Sequence, residues 1–136
     1  MGGGISAYVD TAAFIALLDR SDSYHSLFRF LFSDPPQLLT SALTVAEGHG
    51  WFLRRYDGRR ALEFMRFIED LGPTLSTEAF GPADLPMIQD QLRRYPDQPL
   101  TIADAHGLAL MERRRISTCW STDRHLSLVG ARLVIY

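Results

Sequence analysis

The sequence predicts an α/β sandwich, with a mostly parallel central sheet of four or five short strands flanked by helices. Three observations predict it. Short apolar runs alternate along the chain with longer stretches of helical spacing, the pattern of a sheet built through crossover helices. A length of 136 residues suits one buried core and is short for two. Hydrophobic residues make up 46% and charged residues 22%, the balance of a packed domain. The chain is therefore expected to be a single domain over 1–136, with residues 1–4 as a flexible leader. It shows no internal repeat, low-complexity tract or dividing linker.

Each element follows from its residues. Ile5 to Val9 is an apolar run that ends at Asp10 and predicts the first strand. Thr11 to Asp19 changes to helical spacing, with Phe14, Leu17 and Leu18 on a common stripe. After Ser21-Asp22-Ser23, residues 24–32 place Leu27, Phe28, Leu31 and Phe32 together and predict a second helix, stopped by Asp34-Pro35-Pro36. Leu38 to Ser41 predicts a second strand. Thr44 is expected to open a helix reaching Tyr56, and Asp57-Gly58 turns it into a fourth over Arg59 to Leu71, an antiparallel hairpin. Two glycines in the third helix, Gly48 and Gly50, predict local looseness there. Thr74-Leu75-Ser76 predicts a brief edge strand. Interruptions at Gly81, Pro82 and Pro86 confine the next helix to about Pro86 to Tyr95. Thr101 to Arg115 is a helix, Ile116 to Trp120 a strand and Arg132 to Tyr136 a closing strand.

Composition excludes several functions. All 14 basic residues are arginine, so neither a Schiff-base lysine nor a phosphate-loop lysine exists. A net charge of −2 gives no global field for a polyanion, and any such contact must be local. The lone Cys119 lies in an apolar strand, as a buried inert thiol. The longest apolar run, Ala12 to Leu18, is far below the roughly 20 residues that cross a membrane. Without signal-peptide character at the N-terminus, the expected location is the cytoplasm. Zinc-type His/Cys spacing, nucleophile elbows and dinucleotide-binding glycines are absent from the sequence.

Four acids stand out by topology. In open parallel sheets, ligands collect beyond the carboxyl ends of the strands. Asp10 ends the first strand, Glu47 is expected in the first turn of the helix after the second, Asp104 opens its helix, and Asp123 follows the next strand. Two carboxylates about 4 Å apart repel by roughly 4 kcal/mol at an effective dielectric of 20. Such a group calls for shifted pKa values or a cation, and oxygen-only ligands select Mg²⁺ or Mn²⁺. Each acid also has a plainer reading. Thr101-x-x-Asp104 and Thr44-x-x-Glu47 both fit the capping box, Asp10 fits a turn, and Asp123 fits the cap of a short helix at Arg124 to Ser127. Capping and ligation are compatible, because a first-turn carboxylate gains from the helix dipole without being consumed by it.

The chain resembles the PIN-domain family, and within it the VapC-type toxins of toxin–antitoxin pairs. Four blocks carry the resemblance: Tyr8 to Asp19, Leu43 to Glu47, Pro99 to Ala105, and Ser121 to Leu126. They span almost the whole chain in the family's order. The resemblance implies a PIN-like three-layer sandwich and an Mg²⁺- or Mn²⁺-dependent endoribonuclease. It implies Asp10, Glu47, Asp104 and Asp123 as metal and catalytic residues, with Thr11, Ser121 and Thr122 in support. It also implies an RNA substrate, a small antitoxin protein and a homodimer. A catalytically silent PIN-like interaction module is the alternative. A phospho-accepting Asp10 is a third reading, disfavoured by the absence of lysine.

Other residues near the acids carry weaker signals. His49, His106 and His125 each read as a metal or RNA contact or as an ordinary packed or surface imidazole. Asp97 reads as solvated. Arg54 and Arg55 in one arginine cluster, with Arg124, are the expected RNA phosphate contacts, against a plain charged face. Arg113 to Arg115 suit a helix C-terminus electrostatically. The second helix is apolar nearly all round, and its uncovered remainder is the expected partner surface.

Overall fold

The computed structural model describes residues 4–136, so the leader expected over 1–4 lies outside the described residues except for Gly4. The chain runs β1 (Ala7–Val9), α1 (Thr11–Leu18), α2 (His25–Leu31), β2 (Leu38–Ser41), α3 (Ala42–Arg55) and α4 (Gly58–Leu71). It continues with β3 (Leu75–Glu78), α5 (Leu85–Arg94), α6 (Ile102–Arg114), β4 (Thr118–Trp120) and β5 (Arg132–Leu133). The strands form one sheet in the order β3-β2-β1-β4-β5. Every adjacent pair is parallel, so the sheet has five strands and no antiparallel member. The chain moves outward from β1 to β2 and β3, then returns to the other side of β1 for β4 and β5. The order therefore reverses between β1 and β4, where open parallel sheets form their ligand crevice.

Alternation along the strands divides the core in two. Ala7, Val9, Leu38 and Trp120 face one layer, with Phe14, Phe28, Phe32, Phe52 and Phe64 from α1 to α4 and the turn after α2. Tyr8, Leu39, Cys119 and Leu133 face the other, with Leu108, Leu110 and Met111 from α6. This is a three-layer sandwich, and it explains why β1 and β2 are buried along their whole length. Cys119 is a buried free thiol, as expected.

Two local expectations are corrected. The third helix opens at Ala42, not Thr44, because Ser41 ends β2 and caps the helix at once, its Oγ accepting from Leu43 N at 3.0 Å. Nor is that helix loose at its glycines. It is continuous, and Gly48 is buried where an added Cβ would lie 2.5 Å from the Phe64 ring, so glycine there permits close packing of α3 on α4. On α2, Phe28 is buried while Phe30 is 74% exposed, the uncovered remainder expected of a helix apolar all round.

Candidate active site at the carboxyl edge of the sheet

Asp10 leaves β1 at the switch point. Its backbone N–H donates to Trp120 O at 3.0 Å, which fixes the ends of β1 and β4 side by side. Its side chain is only 5% exposed, and Oδ2 accepts from the Ser121 hydroxyl at 2.9 Å. The same Ser121 Oγ accepts from Asp123 N at 2.9 Å. One buried hydroxyl thus joins the acid after β1 to the acid after β4. Of the two supporting hydroxyls expected there, Ser121 makes the contact, and Thr122 has no hydrogen bond among the described residues.

Asp104 is held by its own helix. Thr101 caps α6 by accepting from Asp104 N at 3.0 Å, and Asp104 Oδ2 accepts from Thr101 N at 3.0 Å, a reciprocal capping box. Glu47 is held differently. Because α3 starts three residues earlier than its Thr-x-x-Glu pattern suggests, Glu47 lies in the second turn and no box forms. Instead the Thr11 hydroxyl donates to Glu47 Oε1 at 2.9 Å, tying α3 to the residue after Asp10. Thr44 is buried, its Oγ1 3.3 Å from the Tyr8 hydroxyl. Asp123 caps the 3-10 turn Arg124–Ser127 as expected, its Oδ1 accepting from His125 N at 3.0 Å and lying 2.8 Å from His125 Nδ1.

The electrostatics report a shared field. Burial pushes the Asp10 carboxyl up to about 7; the Ser121 hydroxyl opposes this, and the charges of Asp104 and Asp123 add to it. Burial also raises Asp104, with the Asp123 charge adding. Asp10, Asp104 and Asp123 are therefore brought within electrostatic reach of one another, with Glu47 tethered beside Asp10 through Thr11. They are not brought into a finished cage. Among the described residues, no three acidic, histidine or cysteine side chains are grouped closely enough to hold an ion. Each carboxylate instead has one oxygen engaged by the partner named above.

The donor set nevertheless fits a divalent cation. It is all oxygen, it lies at the switch point, and its most buried member resists ionisation partly because of its acidic neighbours. A hard cation would relieve that repulsion.

The remaining candidates sort by position. Arg124 is exposed beside Asp123. Arg54 and Arg55 are exposed at the far end of α3, a helix about 21 Å long. Asp97 is exposed and His49 half-buried on α3. His106 is fully buried on α6, with Nδ1 2.6 Å from Ser41 Oγ, and burial holds it below the ordinary histidine range. Sequence reasoning passed over Ser41. A serine closing an apolar strand just before a helix is an N-cap signal that would have marked it.

Comparison with known proteins agrees with this fold. The PIN domain family model matches residues 7–131. No curated protein matches the sequence. Among solved structures, the chain is similar to VapC20 of Mycobacterium tuberculosis, described as a Sarcin-Ricin loop cleaving toxin. The TM-score is 0.83 and the identity 23%, over 93% of this chain and 97% of that one. It is also similar to PAE2754 of Pyrobaculum aerophilum, with a TM-score of 0.62 and 16% identity over 99% of this chain and 93% of that one.

Proposed function

Because the chain belongs to the PIN-domain family, we propose that it is an Mg²⁺- or Mn²⁺-dependent endoribonuclease and the toxin of a toxin–antitoxin pair. One observation carries the reading: a buried Asp10 at the sheet's switch point, bonded to Ser121 and raised to about 7 by burial with the charges of Asp104 and Asp123 adding. Asp10, Glu47, Asp104 and Asp123 would hold the ion. A bound divalent ion supplies a more acidic water and positive charge against the phosphate oxygens. The chain's own part is to hold and orient. Ser121 fixes Asp10, Thr11 fixes Glu47, and the capping box fixes Asp104. Arg124, exposed next to Asp123, would meet a phosphate there, whereas Arg54 and Arg55 would meet RNA only if it ran the length of α3. VapC20 is described as a Sarcin-Ricin loop cleaving toxin, so that loop is the first substrate to offer.

The antitoxin reading has its own support. Two neighbouring cavities of about 590 and 420 Å³ share Leu18 and Arg20 at the end of α1. Phe52, Phe67 and Leu17 give them an apolar floor; Asp19, Glu63 and four arginines line them, Glu63 pairing with Arg59 and Arg60, which leaves Arg20 and Arg29 without a salt bridge among the described residues. Such a groove suits a small protein segment that mixes apolar and acidic residues. A homodimer and a cytoplasmic location complete the proposal. No helix among the described residues is long and apolar enough to cross a membrane.

The incomplete ion cage favours one second reading, a PIN-like scaffold that binds partners without cutting RNA. The test separates them. The purified chain should cleave RNA with Mg²⁺ or Mn²⁺ and stop in chelator, and Asp104→Asn should lose at least about a hundredfold in rate while staying folded, a barrier change of about 3 kcal/mol. Cleavage at the wild-type rate by that variant would overturn the site.

A further inference from the structure

The buried imidazole of His106 is not used by the reading above. From its place in the fold we infer that it is a positioning residue for the reaction, acting through Ser41 to set α3 against α6; this rests on the ribonuclease reading.

Glu47 rides on α3 and Asp104 on α6, so the spacing of these two acids depends on how the two helices meet. Among the described residues, the only side-chain hydrogen bond between α6 and the β2–α3 corner is His106 Nδ1 to Ser41 Oγ, at 2.6 Å. It sits at the critical corner. His106 follows Asp104 by two residues, and Ser41 is the N-cap of Glu47's helix. Ser41 Oγ already accepts from Leu43 N, which leaves its hydroxyl hydrogen for Nδ1. When Ser41 donates, the ring proton resides on Nε2; in either tautomer Nε2 is buried with no hydrogen-bond partner among the described residues. Phe80 lies edge-on to the ring, with centroids 5.7 Å apart, and the charges of Asp84, Glu78 and Arg113 reach it.

That arrangement is poor for stability alone. An unpaired buried nitrogen costs free energy that a leucine would not. Apart from Asp104 and His106, the buried face of α6, including Ala105, Leu108, Leu110 and Met111, is apolar. What histidine adds is direction. Apolar packing tolerates sliding, whereas a short hydrogen bond fixes one register. Partners one step removed from metal-holding side chains commonly change affinity or rate by 10–100-fold when lost.

The experiment compares His106→Leu, His106→Asn and Ser41→Gly with wild type. Asparagine keeps an acceptor near the Nδ1 position, and glycine keeps an acceptable helix start while removing the hydroxyl. His106→Leu should lower kcat about tenfold with KM within twofold, while melting no lower than wild type in chelator. Mn²⁺ titrated alone should bind it about fivefold more weakly. His106→Asn should recover both values to within twofold. Ser41→Gly should copy the leucine variant, with no further loss when the two are combined; should the leucine variant not fold, this variant decides. Wild-type kcat and Mn²⁺ affinity in the leucine or glycine variant would overturn the inference. So would an asparagine variant as defective as leucine, or a leucine variant whose lost activity merely follows a lowered Tm. A wild-type chain that cuts no RNA overturns the ribonuclease reading instead, and the Mn²⁺ titrations then still decide the role of His106.

Discussion

Two helix starts in this chain look alike as strings of letters and are built differently. Thr101-x-x-Asp104 becomes a reciprocal cap, so Asp104 is placed by its own first turn. Thr44-x-x-Glu47 forms no cap, because β2 ends at Ser41 and the helix begins there. Its threonine turns inward toward Tyr8 and its glutamate is placed by Thr11, 36 residues away. One acid is thus positioned locally and the other by the tertiary fold, and Asp10 stands between them. The lesson is that a capping pattern is decided by where the preceding strand stops, a fact outside the four-residue pattern.

The largest expected effect is a pH dependence that treats the two helices differently. In chelator, folded Asp10 keeps a proton at pH 5 to 6 that the unfolded chain, with its ordinary value of 3.8, has released. Its contribution therefore favours the folded state in acid, declines as pH rises from about 4 to about 7, and is flat above that, a change of about 4 kcal/mol. The difference in unfolding free energy between wild type and Asp10→Asn, measured by urea titration across pH 4 to 8, isolates it. Asp104→Asn should shift this dependence to lower pH, because the Asp104 charge helps to raise Asp10, whereas Glu47→Gln should shift it less. Equal shifts from both would erase the distinction between the two helices.

A smaller effect probes close packing. Both helices approach an aromatic ring through a glycine. An added Cβ would lie 2.5 Å from the Phe64 ring at Gly48 and 2.9 Å from the Tyr8 ring and hydroxyl at Gly107. Gly48→Ala should cost about 2 kcal/mol and Gly107→Ala about 1, read as urea midpoints, since overpacking outweighs the gain in helix propensity. An unchanged midpoint for Gly48→Ala would mean that α3 is free to move away from α4.

The smallest effect separates local from tertiary placement. Thr101→Ala should cost about 1 kcal/mol through the lost cap and shift Tm by about 4 °C. Thr11→Val should leave Tm within about 2 °C, yet lower RNA cleavage about tenfold by releasing Glu47. Thermal melts and initial rates on the same samples check both.

Much of this architecture was legible in the residues, for identifiable reasons. β2 was expected at Leu38–Ser41 and is found there, because Pro35-Pro36 bars a helix just before it, Leu38 and Leu39 are buried, and Ser41 caps the helix that follows. The helix carrying Asp104 was clear because its cap is local. The topological rule for parallel sheets also placed Asp10 and Asp123 at one edge, joined now by Ser121. What could not be read depends on distant partners. The tie from Thr11 to Glu47 and the bond from Ser41 to His106, 65 residues apart, leave no periodicity in the sequence. Gly48 was misread for the same reason, since propensity counts a glycine as weakness and only the position of Phe64 shows its use.

The most direct test of the central claim is calorimetric titration of the wild-type chain with Mn²⁺, without RNA, at pH 6 and pH 8. Saturable binding is expected, tighter at pH 8, with more protons released at pH 6 as Asp10 ionises, and with affinity lost in Asp10→Asn. Heats that do not saturate, or binding that is indifferent to both pH and Asp10, would contradict the claim that these carboxylates form a divalent-cation site.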